Sequence, residues 1–270
     1  MPSLVPPGYT RGPILFMRPV EDAYILDRLL QYFWDDAGAY GARILLIELD
    51  GTDRALTAAV EQRLRDWEAD SVSVLTLNGR ADACRDHQAA IDGATALLLL
   101  TARPLDAIAR IGGTPLAQAL RRANAQGKAV GAYGDGATLL CQHMIVPPPT
   151  GDPDGLFFAP GLGLVNRLGL DLPRPGLPEA RLTAAVACNP FLVAVGLERG
   201  AGVAVYPDTT LECFGRAGVY IATADDGPDG LVTTTQRLMP RARYNFDART
   251  FVAPEPSEIP EDDGQALTGF

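Results

Sequence analysis

Residues 128–145 (KAVGAYGDGATLLCQHMI) constrain the fold more than any other part of the chain. An apolar run at 129–133 is followed by a turn at Gly134, Asp135 and Gly136. Small and straight-chain residues at 137–141 then favour a helix. The segment therefore predicts a strand, a tight turn and the start of a helix.

This segment has the pattern of a nucleophile elbow without a nucleophile. In hydrolases with an open parallel sheet, small residues two before and two after the nucleophile allow a strained turn that lifts one side chain above the sheet. Ala132 and Gly136 form such a pair, and Gly134 lies midway between them. The position where Ser or Cys is expected therefore has no side chain.

Strands and helices alternate through the first half of the chain. Apolar runs predict strands at 13–18, 43–49, 72–77, 96–100 and 129–133. Helical spacing predicts helices at about 21–39, from a cap in the turn 50–53 to about 69, at 81–92, and at 115–125 after a Thr114 cap. Because parallel strands need crossover connections, we expect an α/β fold with a central, mainly parallel sheet flanked by helices on both faces.

The second half of the chain has a different residue pattern. A Pro/Gly-rich loop (VPPPTGDPDG) follows Ile145, and it precedes a predicted helix near 179–187. Short alternating runs predict additional antiparallel or mixed strands at 191–196, 201–206, 217–222, 231–238 and 243–246. We interpret residues 1–252 as a single domain with an α/β part (12–146) and a strand-rich part (156–252), followed by an acidic flexible tail (253–270).

Composition limits the partners. The formal net charge of −10 argues against nucleic acid, which is bound by basic faces. No apolar run approaches the roughly 18 to 20 residues of a membrane span, and residues 1–12 lack the apolar core of a signal peptide. We therefore expect a cytoplasmic protein that binds neither nucleic acid nor membrane.

The four cysteines, Cys84, Cys141, Cys188 and Cys213, are scattered among apolar residues. They form no CxxC pair and have no neighbouring histidine that would indicate zinc ligation. We expect buried reduced thiols, no metal and no cofactor.

The chain resembles the cyanophycinase-like serine peptidases, which are related to the α-aspartyl dipeptidases within the glutamine amidotransferase-like folds. The best stretch is 94–144, where IGGTPLAQAL and AVGAYGDGATLL are similar to the family's Gly-Thr-Pro-Leu helix and Gly-Thr-Ser-Ala-Gly-Ala elbow. Further similarity lies in GLGLV (161–165), Arg181-Leu182, Asn189-Pro190, VGLERGAGVAV (195–205) and RLMPRARYNFDART. The resemblance implies a glutamine amidotransferase-like fold, dimers, and hydrolysis of aspartyl peptides.

The chain departs from the family pattern at the positions of the family's catalytic residues. Gly134 stands where the family has its serine. Residues 101–104 (TARP) replace the family's Gly-Gly-Asx-Gln loop and offer no glycine for an oxyanion site. The family's Asp-Gln-His motif carries its general base, but residues 166–176 contain no histidine, and the expected position falls near Asp171 or Leu172.

Neither histidine is expected to replace the missing base. His143 lies nine residues beyond Gly134, which on a helix is about 13 Å along the axis and on the opposite face. His87 lies in a polar helical segment and is expected to face solvent.

Asp135 is the ionisable group on the elbow, and a carboxylate can act as a nucleophile. Tyr133 would then be the residue two positions before it, which is bulky for a strained turn. Alternatively, Asp135 is an N-cap or first-turn acid that pairs with Arg103. Glu48, Asp50 and Asp53 cluster at another strand end, where a solvated turn is the simpler interpretation.

The sequence thus predicts a catalytically inactive cyanophycinase-like homologue with a binding, structural or partner-subunit role. The alternative is an active hydrolase on aspartyl or cyanophycin-type peptides with a rebuilt site that uses Asp135, Tyr133 or Arg103. The expected partners are a second copy or an active homologue, and a small peptide or amino acid is the expected ligand.

Overall fold

The computed structural model describes residues 2–18, 20–49, 54–146, 155–172 and 179–253. The predicted turn and cap at 50–53, residues 147–154 of the Pro/Gly-rich loop, and the predicted tail from 254 onward lie outside these residues. No helix in the described part of the chain is long and apolar enough to cross a membrane.

The described helices are α1 (Ala23–Asp36), α2 (Arg54–Asp66), α3 (Arg80–Ala83), α4 (Gln88–Gly93), α5 (Pro104–Ile111), α6 (Pro115–Ala125) and α7 (Ala180–Cys188). The strands are β1 (Ile14–Met17), β2 (Arg43–Leu49), β3 (Ser71–Leu77), β4 (Ala96–Leu100), β5 (Ala129–Tyr133), β6 (His143–Val146), β7 (Phe157–Pro160), β8 (Leu168–Asp171), β9 (Val193–Leu197), β10 (Ala201–Val205), β11 (Thr210–Gly215), β12 (Val219–Gly227), β13 (Gly230–Leu238), β14 (Arg243–Asn245) and β15 (Thr250–Val252).

The main sheet has nine strands in the order β15-β14-β11-β10-β1-β5-β4-β2-β3. Five neighbouring strands of this sheet, in the order β1-β5-β4-β2-β3, are parallel. Strands β10, β11, β14 and β15 extend the sheet beyond β1 through antiparallel pairs. The predicted elbow strand β5 lies next to β1 near the middle of the sheet. The predicted α/β fold with a mainly parallel central sheet and added strands is confirmed.

Both faces of the main sheet are covered. Phe16 of β1 packs in a core that includes apolar residues of α3 to α6, and Leu15 packs in a second core formed with α1 and α2. The run ALLLL of β4 divides between the two cores in the same alternating way. A strand covered on both faces is apolar throughout, which explains why β4 is buried at every residue.

Part of the second half forms a separate four-stranded sheet in the order β13-β12-β9-β8. Strands β8 and β9 are parallel, and the other pairs are antiparallel. Helix α7 packs beside this sheet through Leu182 and Val186. The interpretation of residues 1–252 as one domain stays a prediction.

The predicted helix at 81–92 is wrong as a single element, because it is divided into α3 and α4. The Asp86 carboxylate accepts a hydrogen bond from the Gln88 N–H at 2.9 Å, and the His87 ring bonds to the Asp82 carbonyl at 2.8 Å. Asp side chains that bond to nearby backbone compete with the helical pattern. Helix α4 therefore starts anew at Gln88.

The helix predicted after the elbow is also wrong, because only one 3-10 turn forms at Ala137–Leu140 and β6 follows it. The segment GLGLV binds the backbone carbonyls of this turn, so the helix does not continue. The Leu162 N–H donates to the Leu139 carbonyl at 2.7 Å. Similarly, the Gln142 N–H donates to the Val165 carbonyl at 2.7 Å. Gly161 permits this approach, since a Cβ there would lie 2.1 Å from the Cys141 carbonyl oxygen.

Several elements were not predicted from the sequence, namely α5, β6, β7, β8, β11 and β15. Most are strands of three to six residues, too short for a clear periodic pattern. Helix α5 has a Pro at its first position, a feature that marks a helix start.

The prediction of buried thiols holds for Cys141 and Cys213 and is wrong for Cys84 and Cys188, which are exposed. Cys84 caps the four-residue helix α3, and Cys188 is the last residue of α7. Side chains at such helix ends are not held against the core. Burial raises the pKa of the Cys141 thiol to about 12.

Helix α1 contacts the antiparallel part of the main sheet through a polar cluster. The Tyr32 ring stacks on Phe214 with 4.0 Å between ring centroids, and the Tyr32 hydroxyl lies 2.9 Å from the Tyr206 hydroxyl. Asp36 lies beside them. Burial, and then the charges of nearby acids including Glu212, raise the pKa of Asp36 to about 6.

We predict that Asp36→Asn changes the pH dependence of stability. Between pH 4 and 6 the folded wild type binds a proton at Asp36 that the unfolded chain has lost, so its stability falls as pH rises. The variant has no such proton to lose. Between pH 4 and 6 its free energy of unfolding should therefore rise by about 1 to 2 kcal/mol relative to that of wild type, after allowance for solvent screening. Urea denaturation at several pH values measures it, and parallel stability curves would contradict the assignment.

Candidate functional site

Three adjacent parallel strands end at one edge of the main sheet. Arg18 follows β1, Gly134 follows β5, and Thr101 follows β4. In open α/β sheets, ligands bind outside the carboxyl ends of the strands. The elbow turn therefore occupies the usual position of a functional site.

The elbow keeps its unusual backbone. Gly134 has φ +123°, a conformation that residues with a side chain rarely adopt, so any residue other than glycine would be strained there. A Cβ at Gly134 would lie 1.9 Å from the carbonyl oxygen of Thr101. The space in which a nucleophile's side chain would begin is thus filled by backbone.

Thr101 directs its carbonyl, and not its N–H, at the elbow. The carbonyl accepts a hydrogen bond from the Gly136 N–H at 3.0 Å, while the Thr101 N–H donates to the Tyr133 carbonyl at 3.1 Å. An oxyanion site needs N–H donors that point at the reacting carbonyl. The Thr101 and Gly136 donors both have protein partners instead.

A cleft of about 270 Å³ opens beside the elbow. Among the residues that the structure describes, its charged side chains are Arg18, Asp135, Asp171 and Arg181, and the rest of its lining consists of Pro104, Thr138, Ile145, Val146 and Leu172. These residues come from different elements, including β6, β8, α5 and α7. The fold therefore gathers four charges at a single cleft.

Asp171 and Arg181 form a buried, bidentate ion pair. The guanidinium Nε donates to one carboxylate oxygen at 2.9 Å, and Nη2 donates to the other at 2.6 Å. The exposed fractions are 1% for Asp171 and 8% for Arg181. Burial raises the pKa of Asp171, and the hydrogen bonds from Arg181 oppose that shift. Asp171, at the position expected for the family's base, is held by this pair.

Arg18 and Asp135 bring opposite charges to the same cleft. Arg18 is 7% exposed, and its Nη1 donates to the Leu197 carbonyl at 2.5 Å. Burial lowers the pKa of Arg18, and the nearby Asp135 carboxylate opposes that shift. Asp135 itself is exposed, and the residue that caps the 3-10 turn is Gly136, which makes no side-chain cap bond.

The other candidates, Tyr133 and Arg103, lie in different surroundings. Tyr133 is 2% exposed and packs in the core shared with α1 and α2. Its pKa is raised to about 12 by burial, and its hydroxyl bonds to the backbone of Val20. Arg103 precedes α5 and forms an exposed ion pair with Asp106 at 3.0 Å, instead of the expected pair with Asp135.

The histidines do not line the cleft. His143 is exposed on strand β6, so the helical distance expected for it does not apply. His87, expected to face solvent, is half-buried. Of the predicted acidic cluster, Glu48 is buried and accepts a hydrogen bond from Thr76 at 3.1 Å, whereas Asp50 and Asp53 lie outside the described residues. Among the residues that the structure describes, no three His, Cys, Asp or Glu side chains could together hold a metal ion.

A larger cleft of about 510 Å³ lies elsewhere, between the N-terminal residues 2–5 and Tyr206. It reaches Ile14, the first residue of β1, and therefore lies at the amino end of that strand. The cleft beside the elbow has the location expected for ligands in an open sheet.

Sequence reasoning did not single out Arg18 or Thr138 as site residues. Arg18 is the last residue of the predicted strand 13–18, so its position at a carboxyl end was a usable signal. Thr138 carried no such signal, because it was expected within a helix.

Comparison with known proteins identifies a related sequence and a related fold. No family model matches the chain. The chain is 24% identical over 225 residues to a protein named cyanophycinase from Geminocystis herdmanii (strain PCC 6308). The aligned region covers 79% of this chain and 81% of that protein. A crystal structure of a peptidase from an acI-B1 Actinobacterium has a TM-score of 0.66 at 16% identity, covering 88% of this chain and 98% of the other.

The two comparisons support different statements. The crystal structure shows that the fold is shared. The sequence match confirms the resemblance to the cyanophycinase-like peptidases.

We predict that Gly134→Ala destabilises the protein more than Gly230→Ala. The two glycines have nearly equal φ angles, +123° and +121°, so both variants should lose about 1 to 3 kcal/mol from backbone strain. Only at Gly134 does the added Cβ meet the Thr101 carbonyl, because nothing lies within 4 Å of one at Gly230. Gly134→Ala should therefore lose about 1 to 3 kcal/mol more.

Chemical denaturation of both variants beside wild type measures this difference. Equal losses would mean that the Thr101 backbone moves aside freely, and the elbow would then not be closed.

We predict that Asp171→Asn lowers the free energy of unfolding by about 3 to 5 kcal/mol, because it leaves the Arg181 guanidinium buried without its counter-charge. The double variant with Arg181→Met should recover much of this loss. Asp106→Asn, which breaks the exposed pair with Arg103, is the matched control and should change stability by less than about 1 kcal/mol. A similar small effect for Asp171→Asn would show that the buried pair is not a structural constraint.

Proposed function

Because the chain is similar to cyanophycinase in sequence and shares a peptidase fold, we propose that it is a catalytically inactive cyanophycinase-like protein with a binding role. The observation that carries this proposal is the position of the Thr101 carbonyl oxygen, 1.9 Å from where a Cβ on Gly134 would stand. A side-chain nucleophile at that position requires the backbone to move.

The position expected for the general base supports the same conclusion. Family-type covalent catalysis needs a nucleophile and a base within hydrogen-bond reach of each other. Asp171 has both carboxylate oxygens bonded to Arg181, and Leu172 has no ionisable group. Asp171 is thus held by the Arg181 guanidinium, and Leu172 has no proton acceptor to offer an elbow nucleophile.

A hydrolase that uses Asp135 is the second candidate, and one observation favours it. Asp135 is exposed on the elbow and lines the cleft that the Arg18 guanidinium also lines. A carboxylate nucleophile would attack the peptide carbonyl, break its C–N bond and release the protonated amine, and water must then hydrolyse the resulting anhydride. The side chains that line the cleft include no histidine to activate that water.

We predict that the purified protein does not hydrolyse β-linked or α-aspartyl peptides of arginine, and that a serine-directed phosphonate does not label it. The reason is the missing nucleophile side chain at Gly134 and the engaged carboxylate at Asp171. Product release measured by chromatography, with cyanophycinase from Geminocystis herdmanii as the positive control, tests the first statement. Intact-protein mass spectrometry tests the second.

Turnover well above the rate in buffer would overturn the proposal. Asp135→Asn then separates the two candidates, because loss of that turnover by 100-fold or more would assign the reaction to the second one. Turnover that survives Asp135→Asn would exclude both.

The resemblance also implies dimers, so we propose that the protein pairs with a second copy or with an active homologue. A cytoplasmic location likewise stays a prediction.

A further inference from the structure

We propose that the cleft beside the elbow is a receptor site for one free aliphatic α-amino acid. Arg18 and Thr138 would receive its carboxylate, and Asp135 would receive its ammonium group. This inference rests on the proposed function, since it takes the cleft to bind its ligand without cleaving it. It adds the chemical class of the ligand and the residue that recognises each part of it.

The charges that line the cleft are arranged for a zwitterion. Among the described lining residues, Asp171 and Arg181 pair with each other through two hydrogen bonds, and Arg18 and Asp135 bring a further cation and anion to the same space. The two are near enough for the Asp135 charge to act on Arg18. A free α-amino acid carries an ammonium group and a carboxylate on the same carbon, so its charges complement this pair.

Thr138 supplies an independent sign of a missing partner. Its side chain is 2% exposed, lines the cleft, and has a hydroxyl oxygen without a hydrogen-bond partner. Buried hydroxyls are normally hydrogen-bonded, because leaving one unsatisfied is costly. A carboxylate held by Arg18 would accept the Thr138 hydroxyl proton in a charge-assisted hydrogen bond.

The rest of the lining selects the side chain of the ligand. Pro104, Ile145, Val146 and Leu172 form the apolar part of the cleft. A branched aliphatic side chain placed there would remove apolar surface from water, whereas a charged side chain would lose its hydration. The volume of about 270 Å³ lies below the roughly 300 to 1,000 Å³ of sites for drug-sized ligands. The space therefore suits one amino acid.

Calorimetric titration with L-leucine tests the proposal, with N-acetyl-L-leucine, L-leucinamide and L-aspartate as comparison ligands. N-acetyl-L-leucine lacks the ammonium group, and L-leucinamide lacks the carboxylate. We expect L-leucine to bind and each blocked derivative to bind at least about tenfold more weakly, because each loses a hydrogen bond to a charged group. L-Aspartate should also bind more weakly, since its side chain carries a charge into the apolar part.

Two nearly isosteric variants test the assigned contacts. Thr138→Val removes an unpartnered hydroxyl, so we expect unchanged or higher stability and at least about fivefold weaker binding of L-leucine. Thr57→Val is its matched control, because Thr57 is also buried with an unpartnered hydroxyl but lies on α2. Asp135→Asn should weaken the binding of L-leucine by about tenfold. Asp226→Asn, at an exposed position on β12, should leave that binding unchanged.

We test Thr138 and Asp135 and leave Arg18 unchanged, because Arg18 is buried and bonded to the Leu197 carbonyl, so its replacement could prevent folding. Absence of L-leucine binding, equal binding of the blocked derivatives, or binding unchanged in both Thr138→Val and Asp135→Asn would each overturn the proposal. Failure of the proposed function is a separate outcome, since it would be seen as hydrolysis of aspartyl peptides.

Discussion

The close approach of two strand ends sets the geometry on which the cleft depends. Strands β4 and β5 are parallel neighbours, so Thr101 and Gly134 leave the sheet side by side. Their backbones are so close that a Cβ at Gly134 would lie 1.9 Å from the Thr101 carbonyl oxygen, and a Cβ at Gly136 would lie 2.5 Å from the Thr101 hydroxyl. Packing therefore excludes a side chain at both positions, and at Gly134 the positive φ favours glycine as well. The carbonyl that closes the elbow also fixes one wall of the cleft.

The charges of the cleft follow from burial. Asp171 and Arg181 are almost fully buried, and a charge there is tolerated only when a partner lies within hydrogen-bond distance. Their bidentate geometry satisfies both groups and leaves neither available for proton transfer. Arg18 and Asp135 differ, because one is buried and the other exposed. A cation at depth and an anion at the rim give the cleft a direction, so a ligand with two opposite charges has a preferred orientation.

The sequence predicted the parts of the fold that local physics determines. Strand β4 and the N-cap of α6 at Thr114 were predicted, because a five-residue apolar run and a Thr-Pro start act without reference to the rest of the chain. The position of Gly134 was predicted for the same reason. The 3-10 turn after the elbow was not, since it depends on hydrogen bonds from Leu162 and Val165, more than 20 residues later. The cleft also depends on distant elements: Arg18 and Thr138 line the same cleft only because β1 and β5 are adjacent.

If the chain is inactive, as proposed above, these contacts determine what the introduction of a serine at Gly134 would require. A serine placed at Gly134 would need the Thr101 carbonyl to move, and that carbonyl also satisfies the Gly136 N–H. It would then face a cleft in which Asp171 is already paired with Arg181 and no histidine side chain is present. Restoring a base would require breaking that pair, which leaves a buried guanidinium without a counter-charge. Each change is expected to destabilise the fold unless the others accompany it, so under the proposed function no single substitution should produce hydrolysis. A binding site made of Arg18, Asp135 and Thr138 needs none of these changes, because its groups already line the cleft.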